Sequence, residues 1–190
     1  MNKEFFESLQ THFYGMDGGN VRAKFWICGI EWGGNTPPRL DYPSTGAYVC
    51  GKYQIPYWST EWKERNPDFL KYQFDQKVAK VLCAAGNIEV SSYKSYMSDS
   101  YLSDRADSFK VNLFPLAAPD VSTWTPEQEH LTGCNIKYHY YTYCSVYRFP
   151  FIRELVVEFR PQVVLCFGTD FEKEFLSAFW GENSRKASGT

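Results

Sequence analysis

Three short apolar runs, at residues 24–29, 109–115 and 162–168, constrain this chain more than any other feature of it. Each is shorter than a core helix and is bounded by glycine or proline, as strands buried in a parallel sheet are. Stretches of helical periodicity lie around and between them. Phe5, Phe6, Leu9 and Phe13 fall on one helical face that ends at Gly15. Asn66 and Pro67 open a helix lined by Leu70, Phe74, Val78, Val81, Leu82 and Ala85 and stopped by Gly86. Phe151, Ile152, Leu155, Val156 and Phe159 line another, which ends at Arg160-Pro161. Capping-box spacing at Thr125/Gln128 and at Thr169/Glu172 opens two more, the second running through Phe171, Phe175, Leu176 and Phe179 to Gly181. This alternation predicts an α/β fold: a three-layer α/β/α arrangement with a mostly parallel central sheet, in a single domain over residues 1–190.

The connections are uneven. Asp17-Gly18-Gly19-Asn20 reads as a turn. A long Pro-, Gly- and Tyr-rich loop region follows the first strand to about Arg65, and a loop of that length in a compact domain usually has a task. Residues 88–107 are polar, Ser/Tyr-rich and without a clear period, and residues 137–149 are crowded with aromatics.

Composition narrows the partners. Net charge is −2 and the pI about 5.9, so the chain does not coat nucleic acid by charge alone. DNA contact would need a local basic strip, for which Arg39, Lys52, Lys137, Arg148 and Arg153 are the candidates. Aromatics are 18% of the chain, more than a core requires, and Tyr and Trp suit pockets that are half dry and half wet. The six cysteines form no CxxC pair, so no metal is implied, and Cys28 and Cys166 inside strand runs read as small hydrophobes. The N-terminus has no signal-peptide core and no run is long enough to span a bilayer, which with unpaired thiols implies a cytoplasmic protein without membrane contact. No G-x-G-x-x-G or P-loop supports an unrelated nucleotide-binding domain.

In parallel sheets ligands bind at the carboxyl ends of the strands. The three exits here carry Glu31, Asn112 and Thr169-Asp170. An Asn inside an apolar strand offers a donor and an acceptor and must be satisfied if buried. The carboxylate of Glu31 stands beside the Gly33-Gly34 turn, where backbone can come close.

Those exits resemble motifs of the uracil-DNA-glycosylase superfamily, in order. Gly29-Ile30-Glu31-Trp32-Gly33 resembles the motif holding its water-positioning residue. Val111-Asn112-Leu113-Phe114-Pro115 resembles the strand whose Asn reads the flipped base. Residues 160–168 with the following helix resemble its late strand and helix. The resemblance implies a DNA glycosylase that binds a flipped base and hydrolyses its N-glycosidic bond without cofactor or metal. Glu31 would be catalytic. Gly29, Ile30, Trp32, Gly33 and Asn112 would bind the base, with Tyr42 or Tyr48 stacking on it and Tyr53, Tyr57 and Trp58 in reserve. The family commonly has Pro at the place of Trp32, Asp or Asn at that of Glu31, and a last strand and catalytic His motif that this chain does not reach by Thr190. His130 and His139 do not stand where that His belongs. The alternative is a catalytically inactive nucleic-acid-, nucleotide- or protein-binding module on the same fold.

Overall fold

The computed structural model describes residues 1–34 and 46–181. The three apolar runs become strands, and a short N-terminal segment joins them. Strand β1 (Gly18–Gly19), β2 (Phe25–Gly29), β5 (Ser108–Asn112) and β6 (Val163–Cys166) form one four-stranded sheet in the order β1-β5-β2-β6. β5, β2 and β6 run parallel, with Gly29 opposite Asn112 and Cys28 opposite Cys166, while β1 pairs antiparallel with β5. The fold is therefore mixed α/β on a mostly parallel sheet. A separate hairpin, β3 (Ala47–Cys50) and β4 (Tyr53–Pro56), occupies part of the region that the sequence reads as loop.

Alternation along β2 and β5 sends side chains to two hydrophobic clusters, one on each face of the sheet. Trp26, Cys28, Phe109 and Val111 join the cluster built with α1 (Lys3–Ser8), α6 (Lys137–Phe159) and α7 (Glu172–Phe179). Ile27 joins the other, built with α2 (Thr60–Arg65), α3 (Gln73–Ala85) and α4 (Tyr93–Asp99). The remaining helix, α5 (Pro126–Thr132), carries the expected capping box from Thr125 and Gln128.

Several expectations change. The helix expected from Pro67 is a 3-10 turn at Pro67–Lys71 followed by α3, whose buried face is Asp75, Val78, Ala79 and Leu82, so Val81 turns outward. Residues 137–149 and the helix expected from Phe151 are one 23-residue helix with Pro150 inside it; proline lacks only its own N–H, and packing holds the rest. The strand at 109–115 ends at Asn112. Thr169 caps nothing: α7 begins at Glu172 after a 3-10 turn, with no side-chain cap bond. The first helix stops at Ser8 although Phe13 is still buried. Cys166 is exposed, because β6 is an edge strand. Two members of the expected basic strip, Lys137 and Arg148, are buried behind the sheet exits, Lys52 and Arg153 bond to Glu154 and to the Ser177 carbonyl, and Arg39 lies outside the described residues. Among the described residues no helix is long and apolar enough to cross a membrane.

Candidate functional site

The exits of β2 and β5 stay together beyond their last paired residues. Leu113 N–H donates to the Gly29 carbonyl, Phe114 N–H to that of Ile30 and Ala118 N–H to that of Trp32. The two exits thereby open side by side into a cavity of about 680 Å³. Gly29, Ile30, Glu31, Trp32, Gly33 and Asn112 all line it, so six of the eight residues singled out in the sequence share one pocket. Tyr48 does not line it: its hydroxyl donates to the Gly19 carbonyl and accepts from Val21 N–H, tying β3 to the first turn. Tyr42 lies outside the described residues. Of the reserve aromatics, Trp58 lines the cavity, while the Tyr53 hydroxyl is spent on Glu154 and Glu158.

Asn112 is 2% exposed, and its side-chain Nδ2 has no hydrogen-bond partner among the described residues. Its carbonyl is held from behind by Arg148, which donates from Nη2 at 2.9 Å and Nε at 3.3 Å. A Cβ at Gly29 would stand 2.5 Å from Asn112 Oδ1, so only glycine leaves room for the amide there. The glycine needed for close approach is thus Gly29; a Cβ at Gly33 would meet nothing. Trp58 Nε1 is a second buried donor on the cavity wall without a partner among the described residues.

Lys110 precedes Asn112 by two and shares its face of the strand. Its Nζ lies 3.1 Å from Asp17 Oδ2 and 2.8 Å from Asp75 Oδ1, with all three side chains at most 6% exposed. Tyr101 Oη donates to the same Asp75 oxygen at 2.7 Å, and Trp32 Nε1 to the same Asp17 oxygen at 2.9 Å. Burial pulls the Lys110 ammonium down in pKa, and the two carboxylate charges more than offset that and raise it. Lys110 is therefore a fixed cation, unsuited to act as a nucleophile at neutral pH. The same Nζ sits 4.9 Å from the centre of the Phe74 ring. Phe74 also reaches within 3.9 Å of the Cβ position of Gly29, so its ring spans from the lysine to the amide.

At the other exit, Lys137 donates to Glu31 Oε1 at 2.8 Å and to the Asp120 carbonyl at 3.0 Å. Tyr141 Oη donates to Glu31 Oε2 at 3.4 Å. Burial raises the Glu31 pKa, with the Lys137 hydrogen bond and charge, and then Tyr141, opposing it. Lys137, Tyr141, Cys144 and Arg148 recur at helical spacing along one face of α6. One helix thus secures both strand exits, through Lys137 on Glu31 and through Arg148 on Asn112.

Sequence reading missed Asp17, Phe74, Asp75 and Lys110. A signal existed: in Phe109-Lys110-Val111-Asn112 two polar residues alternate with apolar ones, which puts both on one face of a buried strand. His130 and His139 are exposed and apart from the cavity. Among the described residues no group of three His, Cys, Asp or Glu side chains could hold a metal. Comparison with known proteins finds no family model, no curated protein and no solved structure that matches this chain.

Proposed function

We propose that the pocket receives a nucleobase flipped out of DNA, and that the chain is a divergent DNA glycosylase of the uracil-DNA-glycosylase kind. The observation that carries this reading is Asn112: its side-chain Nδ2 is a buried donor without a partner among the described residues, its backbone carbonyl is held by Arg148, and the residue lines a cavity beside an aromatic ring. A buried unpaired N–H costs about 1–3 kcal/mol, a cost that a ligand carbonyl would relieve. Phe74 supplies the stacking surface, the place the sequence reading assigned to a tyrosine.

In this reading a water attacks C1′ of the deoxyribose. The C1′–N bond breaks and its electron pair leaves with the base. Glu31 orients the water and takes its proton, for which a carboxyl pKa raised by burial is suited. The negative end of the Glu31 pair also faces the cationic sugar that forms.

Two observations favour a second reading, a base- or nucleotide-binding module without hydrolysis. The Glu31 side chain is 6% exposed and already bonded to Lys137, and the buried Lys137 and Arg148 take no part in a surface strip for DNA. Oligonucleotides, single- and double-stranded, carrying uracil, mismatches or modified cytosines separate the readings. The glycosylase makes alkali-labile abasic sites, and Glu31→Gln lowers that rate by about 10²-fold or more. Base binding without abasic sites, lost in Asn112→Ala, establishes the binder. Neither cleavage nor binding by any substrate ends both.

A further inference from the structure

Independently of what the pocket binds, we propose that a second copy of this chain docks on the open edge of the sheet. In this dimer β6 pairs antiparallel with β6 about a twofold axis, and the two α7 helices pack beside the strands.

The two edges of the sheet are finished differently. β1 is two buried glycines long, and a Cβ at Gly18 would run into the Pro56 carbonyl, so β4 covers that edge. β6 pairs with β2 alone among the described residues. Its sequence, Val163-Val164-Leu165-Cys166, lacks the charge or proline that blunts a natural edge. β2 and β5 are almost wholly buried, whereas Val163 is 40% exposed and Cys166 is exposed as well. Val163 N–H donates to the Lys24 carbonyl and Phe167 N–H to that of Cys28. Alternate residues therefore face β2, and the backbone N–H and C=O of Val164 and Cys166 point off the sheet.

Charge and symmetry name the occupant. The start of β6 is basic: Arg160 precedes it and Lys24 stands beside it, both exposed. Its exit is acidic, since Asp170, Glu172 and Glu174 outnumber Lys173. Among the described residues none of Lys24, Arg160, Asp170 and Glu172 is in an ion pair. An antiparallel copy sets the basic start of each strand beside the acidic exit of the other, twice over, whereas a parallel copy sets like charges together. Val164 opposite Cys166 of the second copy uses both outward backbone pairs and centres the interface on Leu165. Arg160 and Asp170 are then equally far from that centre, one before it and one after. The axis stands perpendicular to the sheet, so both α7 helices come to the same face. α7 buries Phe175, Ala178 and Phe179 and leaves Leu176 and Trp180, one turn apart, 42% and 56% exposed. In the dimer they give the helix layer an apolar contact.

Sedimentation velocity of the full chain under reducing conditions tests this and should show a dimer at micromolar concentration. Cys166→Lys puts a charge in the middle of the edge and should raise the dimer Kd about tenfold or more, and Trp180→Lys should act in the same direction. Arg160→Glu should also weaken the dimer, and adding Asp170→Arg should restore it, because the exchange keeps the two ends complementary. Leu165→Cys in a Cys166→Ser background should oxidise to a covalent dimer, since residues facing each other in a non-hydrogen-bonded pair have Cα atoms about 4.5 Å apart, within disulfide reach. If Cys166→Lys does not fold, the charge exchange and the crosslink decide. A monomer at every concentration overturns the proposal, including one that captures a strand of a different protein. So does a dimer that neither Cys166→Lys weakens nor Leu165→Cys crosslinks.

Discussion

Two lysines hold carboxylates that line the pocket, and by the simplest measures they are alike. The Lys110 side chain is 6% exposed and that of Lys137 7%, and each donates to a carboxylate at 2.8 Å. Their company differs. Lys110 holds two carboxylates, Asp17 from the first turn and Asp75 from α3, which Trp32 and Tyr101 also bond. Lys137 holds one carboxylate, Glu31, and a backbone carbonyl. It is also the first residue of α6, the positive end of the helix dipole, so Glu31 offsets an unfavourable placement as well as a charge. Equal burial thus conceals two devices: a knot of separate chain segments around a cation, and a removable pair at a helix start.

The largest expected effect breaks the knot. Lys110→Met leaves Asp17 and Asp75 buried against each other without a counter-ion. Removing one partner of a buried pair costs about 3–5 kcal/mol, and two stranded carboxylates put this variant at or beyond the top of that range. Urea unfolding at pH 7 checks it. A loss no greater than that of Lys137→Met would remove the distinction drawn between the two lysines.

Lys137→Met should cost less, about 2–3 kcal/mol near pH 8, because Glu31 can escape by taking a proton. The sign follows from its raised pKa. A carboxyl whose folded value lies above its ordinary 4.5 gives its stability in the protonated form, below the unfolded value. That stability is lost as pH rises through the folded value. Without Lys137 the folded value climbs further, so the penalty of the variant should shrink markedly between pH 8 and pH 5. The double variant Glu31→Leu/Lys137→Met should recover most of the loss at pH 8, since a buried pair replaced by apolar groups is often near neutral. A penalty flat across that pH range would show that Lys137 acts by packing alone.

The sequence carried the frame of this site more clearly than its contents. Parallel strands and their exits were legible because buried strands are short, apolar and bounded by turn residues, and Glu31 and Asn112 do open into one cavity. Lys110 was hidden by its own strand: read as a run, Phe-Lys-Val-Asn-Leu is apolar with interruptions, and only the period of two reveals a polar face. Asp75 was hidden because the break at Tyr72 rotates α3 relative to a helix continuous from Pro67, which exchanges Val81 for Asp75 on the buried face. Asp17 could not be found from local pattern, since its partners Lys110 and Trp32 are assembled only by the sheet. Lys137 and Arg148 were misplaced for the opposite reason. A cation in a sequence is read as surface unless its partner is known, and here the partners are a carboxylate 106 residues away and a strand-end carbonyl.

Tyr48 offers the smallest and cleanest contrast with both lysines, because it joins distant segments through groups that do not line the pocket. Its hydroxyl accepts from Val21 N–H at 2.9 Å and donates to the Gly19 carbonyl at 3.1 Å, so it braces the turn that also carries Asp17. Tyr48→Phe removes both bonds and keeps the ring, which packs on Tyr57 at 6.2 Å. The expected loss is about 1–2 kcal/mol, since Val21 and Gly19 are buried and their freed groups lose a partner. Nucleoside binding should be unchanged, because Asp17 is fixed from its other side by Lys110 and Trp32. If Tyr48→Phe weakens binding while costing no more stability than this, the first turn is less firmly set by the Lys110 knot than its hydrogen bonds imply. The hairpin then belongs to the machinery of the pocket.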